Sequence, residues 1–226
     1  MSRKAMVGII AVAVLCLSTA AWAQYEHPDL KSGKVVVKSA AILPPSVKMV
    51  KSGVKGNEEL IEEERQIEGA LPPMIGAVMQ ERHCDANDKA LGSAALEKDQ
   101  ELKFAVADLQ KRFDELFPQL ARKPKDVRKG RFTLGDEVAK LNPGGATDAL
   151  VFIRGFGQVN TGGKVFLAAV GGISVASGAV FHVVVVDART GAVLYYGVAG
   201  ERANPVKDPG HTQKVIDKSF KNFPGK

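Results

Sequence analysis

Apolar residues along the chain change spacing twice, and the changes divide it into elements. Residues 34–43, Lys34-Val-Val-Val37-Lys-Ser-Ala-Ala-Ile42-Leu43, are rich in β-branched side chains and stop at Pro44-Pro45, the pattern of a strand. Residues 46–56 hold two glycines and read as a loop. From Asn57 to Arg82 the spacing becomes helical, with Leu60, Ile67, Leu71, Met74, Ile75 and Val78 on one face and Asn57 as N-cap. Pro72-Pro73 predicts a kink or break there, because proline lacks the amide donor and crowds the preceding turn. After a linker at 85–93, a second helix spans about 94–120, with Leu102, Val106, Leu109, Phe113, Leu116 and Phe117 on one side. Thr133-Leu-Gly-Asp136 opens a short helix to Leu141.

The last third is different. Residues 148–153 and 180–186 are apolar at consecutive positions, as in strands covered on both faces. Asp187, Arg189, Thr190 and Gly191 form a turn, and Ala192 to Ala199 return as the second arm of a hairpin. The order is one strand, three helices, one strand, then the hairpin. It predicts an α/β (α+β) fold, a mixed sheet flanked by helices.

The N-terminus sets the compartment. Arg3 and Lys4 precede an uncharged run from Met6 to Leu17, and Ala21-Trp22-Ala23 follows ahead of Gln24. These are the basic, apolar and small-x-small parts of a secretory signal, with cleavage between Ala23 and Gln24. The run is short of the roughly 20 residues a spanning helix needs. Cys16 follows Leu15 inside that run, so it is not a lipidation cysteine. The chain then divides into a signal at 1–23, a flexible lead-in at 24–33, a single domain at 34–202 and a polar tail at 203–226, with a short helix near 215–220.

Cysteine and charge narrow the chemistry. Cys84 is the one cysteine outside the signal, so no disulfide forms within the mature chain. The formal charge of +6 is dispersed. Its densest basic stretch, 122–131, has no aromatic residue to stack on bases and reads as a solvated connector rather than a nucleic-acid site.

No catalytic set emerges. His83, Cys84 and Asp85 are the residue types of a thiol protease, but adjacent residues cannot converge on one substrate atom. Their place at a helix end predicts a partly exposed, unreactive thiol. Gly155-Phe-Gly157 through Gly163-Lys164-Val165 fails the phosphate-loop spacing, and Val165 stands where a hydroxyl should hold magnesium. His27, His83, His182 and His211 never share the spacing of metal ligands. His182, within a strand, reads as a hydrogen-bonded core residue. The glutamates at 58–68 read as a solvated helix face. No cofactor and no metal is expected, and the chain reads as a non-enzyme.

Three segments carry a resemblance: Ala41-Ile-Leu-Pro-Pro45, Asp148-Ala-Leu-Val within 146–153, and Val186-Asp187-Ala-Arg189-Thr190-Gly191-Ala-Val-Leu194. Together, over roughly 34–200, they resemble bacterial envelope proteins of the curli-secretion-protein-like superfamily, which includes the TolB N-terminal domain. The resemblance implies an anticodon-binding-domain-like α/β sandwich and fold signatures rather than an active site. The acylated cysteine of the lipoprotein members is missing here.

The sequence therefore predicts a non-catalytic periplasmic or outer-membrane-associated module of a Gram-negative-type envelope. Its partner is another envelope protein, and oligomerisation and peripheral membrane contact stay open. The rival is a secretion-pore subunit. Between Val165 and Val186 there is no Asp, Glu, Lys or Arg over about the length of a membrane span, but the stretch lacks the apolar–polar alternation of a barrel hairpin.

Overall fold

The computed structural model describes residues 23–53, 56–142, 145–160, 177–201 and 209–224. Among the described residues, eight strands form one mixed sheet: β1 (Ala23–Glu26), β2 (Ser39–Ile42), β3 (Ser46–Gly53), β4 (Gly56–Glu59), β5 (Asp85–Asn87), β6 (Ala149–Asn160), β7 (Gly178–Asp187) and β8 (Val193–Glu201). The helices are α1 (Pro28–Lys31), α2 (Ile61–Gln80), α3 (Ser93–Leu96), α4 (Gln100–Arg122) and α5 (Pro209–Ser219), with 3₁₀ segments at Pro124–Lys129 and Asp136–Leu141. The predicted mixed sheet flanked by helices is what the chain forms.

β6 organises the sheet. On one side it pairs antiparallel with β7, which passes to β8 and then β1. On the other side its first residues take β2 in parallel and its later ones take β3 in parallel. β5 lies outside β2, and β4 lies outside β3. The hairpin of β7 and β8 pairs Val184 with Tyr196 and carries an irregularity between Val185 and Val186.

Alternation along β6 separates two cores. Ala149, Val151 and Ile153 join Ile67, Leu71 and Ile75 of α2 and Val215 and Ile216 of α5. Leu150 and Phe152 join Val106, Leu109 and Phe113 of α4. Cover on both faces is why the central strands tolerate apolar residues at every position.

Several elements depart from the sequence reading. Residues 46–53 and 56–59, expected as a loop and the start of a helix, are the antiparallel pair β3 and β4. Val47 and Met49 are buried while the lysines between and beyond them reach solvent. That alternation over 46–51 is a strand signal which the neighbouring glycines concealed. α2 consequently begins only at Ile61, and Leu60 at its N-cap makes no side-chain bond.

Helix α2 runs through Pro72 and Pro73 without a break. It stops where His83 takes φ 58°. The Cys84 amide donates to the Met79 carbonyl at 3.0 Å and the His83 amide to Gln80 at 3.0 Å. This is a Schellman closure with histidine where glycine is usual.

The described parts of the lead-in and of the tail both supply elements of the fold. The lead-in supplies β1 and the turn α1. The polar tail supplies α5, with Val215, Ile216, Phe220 and Phe223 buried. The Tyr195 hydroxyl donates to the Ser219 carbonyl at 2.8 Å, Arg82 donates to the Phe220 carbonyl at 3.1 Å, and Arg82 also pairs with Asp217 at 2.8 Å. The linker at 85–93 opens with β5, which pairs in parallel with β2. Of the uncharged stretch at 165–186, residues 178–186 are β7, in the interior of the sheet, and 165–176 lie outside the described residues.

Candidate functional site

The turn residues are committed to holding the β7–β8 corner. Asp187 is 5% exposed. Its Oδ1 accepts the amides of Arg189 at 2.9 Å and Thr190 at 2.8 Å, while its backbone carbonyl accepts the Gly191 amide at 3.0 Å. Gly191 has φ 72° and lies against the segment at 132–135. There Leu134 donates to the Gly191 carbonyl at 2.9 Å and Val193 to the Phe132 carbonyl at 3.0 Å. Arg189 and Thr190 are exposed. Asp148, at the start of β6, has a similar duty. Its Oδ2 accepts the amides of Lys38 at 2.9 Å and Ser39 at 3.0 Å, tying β2 to β6.

Two of the residues expected at a cleavage site fall in the first strand. Ala23 and Gln24 open β1 opposite Val198 and Gly197, and Ala21 lies outside the described residues. The Gln24 side chain donates to the Lys218 carbonyl, and its own carbonyl accepts from Arg128 at 3.2 Å.

The thiol is not partly exposed as its helix-end position suggested. Cys84 is 0% exposed, placed in the core by the Schellman turn that sends His83 outward. Burial, with Asp148 and Asp85 adding to it, pushes its thiol up to about 12, so it stays protonated at neutral pH. The three adjacent residues at 83–85 therefore do not share a site.

His182 lies among rings. Its Nδ1 is 2.7 Å from the Tyr196 hydroxyl, Phe117 meets it edge-on at 5.1 Å, and Phe156 does so at 6.0 Å. Burial lowers its pKa to about 4, so the ring is neutral and accepts or donates one bond to Tyr196. Part of its surface stays accessible at the edge of this cluster.

The glycine-rich stretch is strand rather than phosphate loop over its described part. A Cβ on Gly155 would meet Phe181 and Val47 at 3.0 Å, and one on Gly157 would overlap the Met49 sulfur. These glycines admit large side chains from the neighbouring strands. They are not an anion cradle.

Two features escaped the sequence reading. Glu64 and Glu68, four apart on α2, accept the amides of Met49 at 2.9 Å and Val47 at 2.8 Å. They complete the edge of β3 where β4 ends, so these glutamates are not a solvated face, and Glu64 is 7% exposed. Their helical i, i+4 spacing facing an alternating strand was the available signal. Arg154, buried on β6, donates to Asp114 of α4 at 2.9 and 2.5 Å and lies 4.9 Å from the Phe113 ring centre.

A shallow groove of about 300 Å³ lies between α2 and β5, lined by Pro72, Pro73, Gly76 and Ala77 and by residues 85–88. No group of three His, Cys, Asp or Glu among the described residues could hold a metal ion. No helix among the described residues is long and apolar enough to cross a membrane.

No protein-family model and no curated protein matches the sequence. Among solved structures, the chain is similar to the lipoprotein GNA1162 from Neisseria meningitidis, at 12% identity and a TM-score of 0.39, covering 82% of this chain and 97% of that one. It is also similar to a PelC dodecamer from Paraburkholderia phytofirmans, at 9% identity and a TM-score of 0.44, covering 92% of this chain and 100% of that one.

Proposed function

We propose that the chain is exported, cleaved between Ala23 and Gln24, and serves as a non-catalytic protein-binding module of the cell envelope, periplasmic or outer-membrane-associated. One observation carries the export reading. Among the described residues, Ala23 pairs with Val198 at the end of β1, while contacts made by Gln24, Tyr25 and His27 anchor the segment, and cleavage after Ala23 leaves these in place. They are the Gln24 bonds to Lys218 and Arg128, the Tyr25–Tyr196 stack and the His27 amide to Leu194.

The non-catalytic part is supported by the employment of the reactive residue types. Cys84 is sealed in the core, His182 is neutral and bonded to Tyr196, and Asp148 and Asp187 bind backbone amides. In this reading Asp187, Arg189, Thr190 and Gly191 are a structural turn.

Intact-mass measurement on protein released from the periplasm tests the processing. A mass that retains residues 1–23, or carries an acyl chain, defeats it. Affinity capture from the native envelope, followed by identification of what is held, tests the module role. Turnover of a substrate by the purified protein would end the non-catalytic reading.

The pore reading rests on the uncharged stretch at 165–186, of which 165–176 lies outside the described residues. Retention of the protein in the membrane after carbonate washing would favour it over the module.

A further inference from the structure

Two segments at opposite edges of the sheet carry opposite charge. Residues 57–68, which are β4 and the opening turns of α2, hold six glutamates against Arg65. Residues 122–131, which end α4 and form the first 3₁₀ segment, hold six lysines and arginines against Asp126. The path β1–β8–β7–β6–β3–β4 separates these edges, and the 3₁₀ segment packs on β1 and β8. Five strand spacings put them about 24 Å apart. That is beyond the Debye length of roughly 8 Å at physiological salt, so neither patch neutralises the other within one molecule.

Both patches keep charge in reserve. On the acidic edge Lys51 pairs with Glu58 and Arg65 with Glu62, which leaves Glu59 and Glu63 without a cation among the described residues. On the basic edge Lys129 and Arg131 share Asp126, which leaves Arg122 and Lys125 without a carboxylate among the described residues. Asp126 is held below the usual carboxylate range chiefly by its bond to Lys129, with Arg131 and Lys123 adding to it. The basic edge is also fixed in place: Val127 is 0% exposed beneath it, and Arg128 lies over Tyr25 at 5.2 Å.

The edges differ in backbone as well. All four residues of β4 are exposed. The Leu60 amide donates to Met49 and Lys51 lies opposite Glu58, so the backbone groups of Asn57 and Glu59 face outward, unpaired by β3. On the other side, Arg128 already occupies the outward carbonyl of Gln24. A contact between the two edges therefore joins charges without extending the sheet.

We propose that the acidic edge, β4 and the start of α2, docks onto the basic 122–131 segment of a second copy of this chain. Different patches meet, so the interface is heterologous. Each added copy leaves one edge of each sign free, and growth stops only when a ring closes. This goes beyond the envelope-module reading, and its failure would leave the processing and capture results untouched.

Sedimentation velocity on the mature protein tests it, with two charge-reversed variants, Glu59→Lys/Glu63→Lys and Lys123→Glu/Lys125→Glu, whose positions are exposed except for the half-buried Glu63. The wild type should associate at low salt. Association should weaken by more than tenfold at ~1 M salt, where the Debye length is about 3 Å. Each variant alone should be monomeric, and an equimolar mixture of the two should associate again. A wild type that stays monomeric at low salt overturns the proposal. So does association that survives both reversals, or variants that remain apart when mixed. If a reversal disturbs thermal melting, Glu59→Gln/Glu63→Gln and Lys123→Gln/Lys125→Gln replace the pair. The neutral variants should each lose self-association, and a mixture should form a dimer and nothing larger.

Discussion

Replacing Gly191 with alanine isolates what the β7–β8 corner contributes. Two penalties add. First, φ at 72° is in the left-handed region, where a side chain costs about 1–2 kcal/mol. Second, the new Cβ would fall 2.1 Å from the Gly135 carbonyl oxygen and 2.7 Å from the Gly135 amide nitrogen. Both are backbone atoms, so the segment at 132–135 must retreat. Its retreat endangers the bonds from Leu134 to Gly191 and from Val193 to Phe132, together worth about 1–3 kcal/mol. The expected loss is about 2–5 kcal/mol, and Gly191→Val should lose at least as much. Gly145→Ala is the control, because its φ is 70° but nothing lies within 4 Å of the added carbon. It should lose only the conformational part. Urea unfolding measures both as shifts in midpoint at constant slope. If the two substitutions cost the same within about 0.5 kcal/mol, the packing of residues 132–135 on the turn is not what the structure shows.

Three further outcomes follow from buried polar groups. Cys84→Ser puts a hydroxyl into an apolar core and should cost about 1–3 kcal/mol; in the wild type the thiol should resist a disulfide reagent until the protein unfolds. His182 has its folded pKa lowered to about 4, below the ordinary value near 6.5. Its contribution is therefore fully present above ~6.5 and is lost as pH falls toward 4, by up to about 3 kcal/mol, and thermal melts of His182→Gln should show a shallower loss across that window than the wild type. Glu64→Ala strands the Met49 amide and should cost about 1–3 kcal/mol, whereas Glu64→Gln keeps an acceptor and should cost clearly less; equal losses in chemical denaturation would refute the role given to that carboxylate.

What the sequence showed best was where one local cause dominates. Consecutive valines and an Asp-led turn with glycine specify the hairpin with no help from the rest of the chain, and the helical spacing of α4 is as direct. What it hid depended on distant partners. Residues 46–53 look like a loop until Met49 is seen to fill the space left by Gly157, more than a hundred positions away. Glu64 and Glu68 look solvated until β3 supplies the amides they accept. The tail looks polar because its four buried apolar residues are spread through lysines, and their burial depends on Tyr195 and Arg82. Cys84 was misplaced by a single backbone angle, since the left-handed turn at His83 decides which neighbour points inward.

The same dependence on distance shapes how the chain can fold. β1 comes from the N-terminus and pairs with β8, and the β1 residue Gln24 bonds to Lys218 just behind it. β2 waits for β6, because Asp148 must reach the amides of Lys38 and Ser39. One face of the sheet also waits for α5, whose Phe220 stacks on Tyr195 at 6.0 Å. Contacts this far apart in sequence impose loop-closure costs before they give anything back, so folding is slow relative to local helix formation. A chain emerging N-terminus first cannot complete the β1–β8 edge, or the face that α5 covers, until its last third follows. Under the proposed export, that order leaves Ala23 accessible to a processing enzyme until β8, the strand that pairs with β1, has arrived.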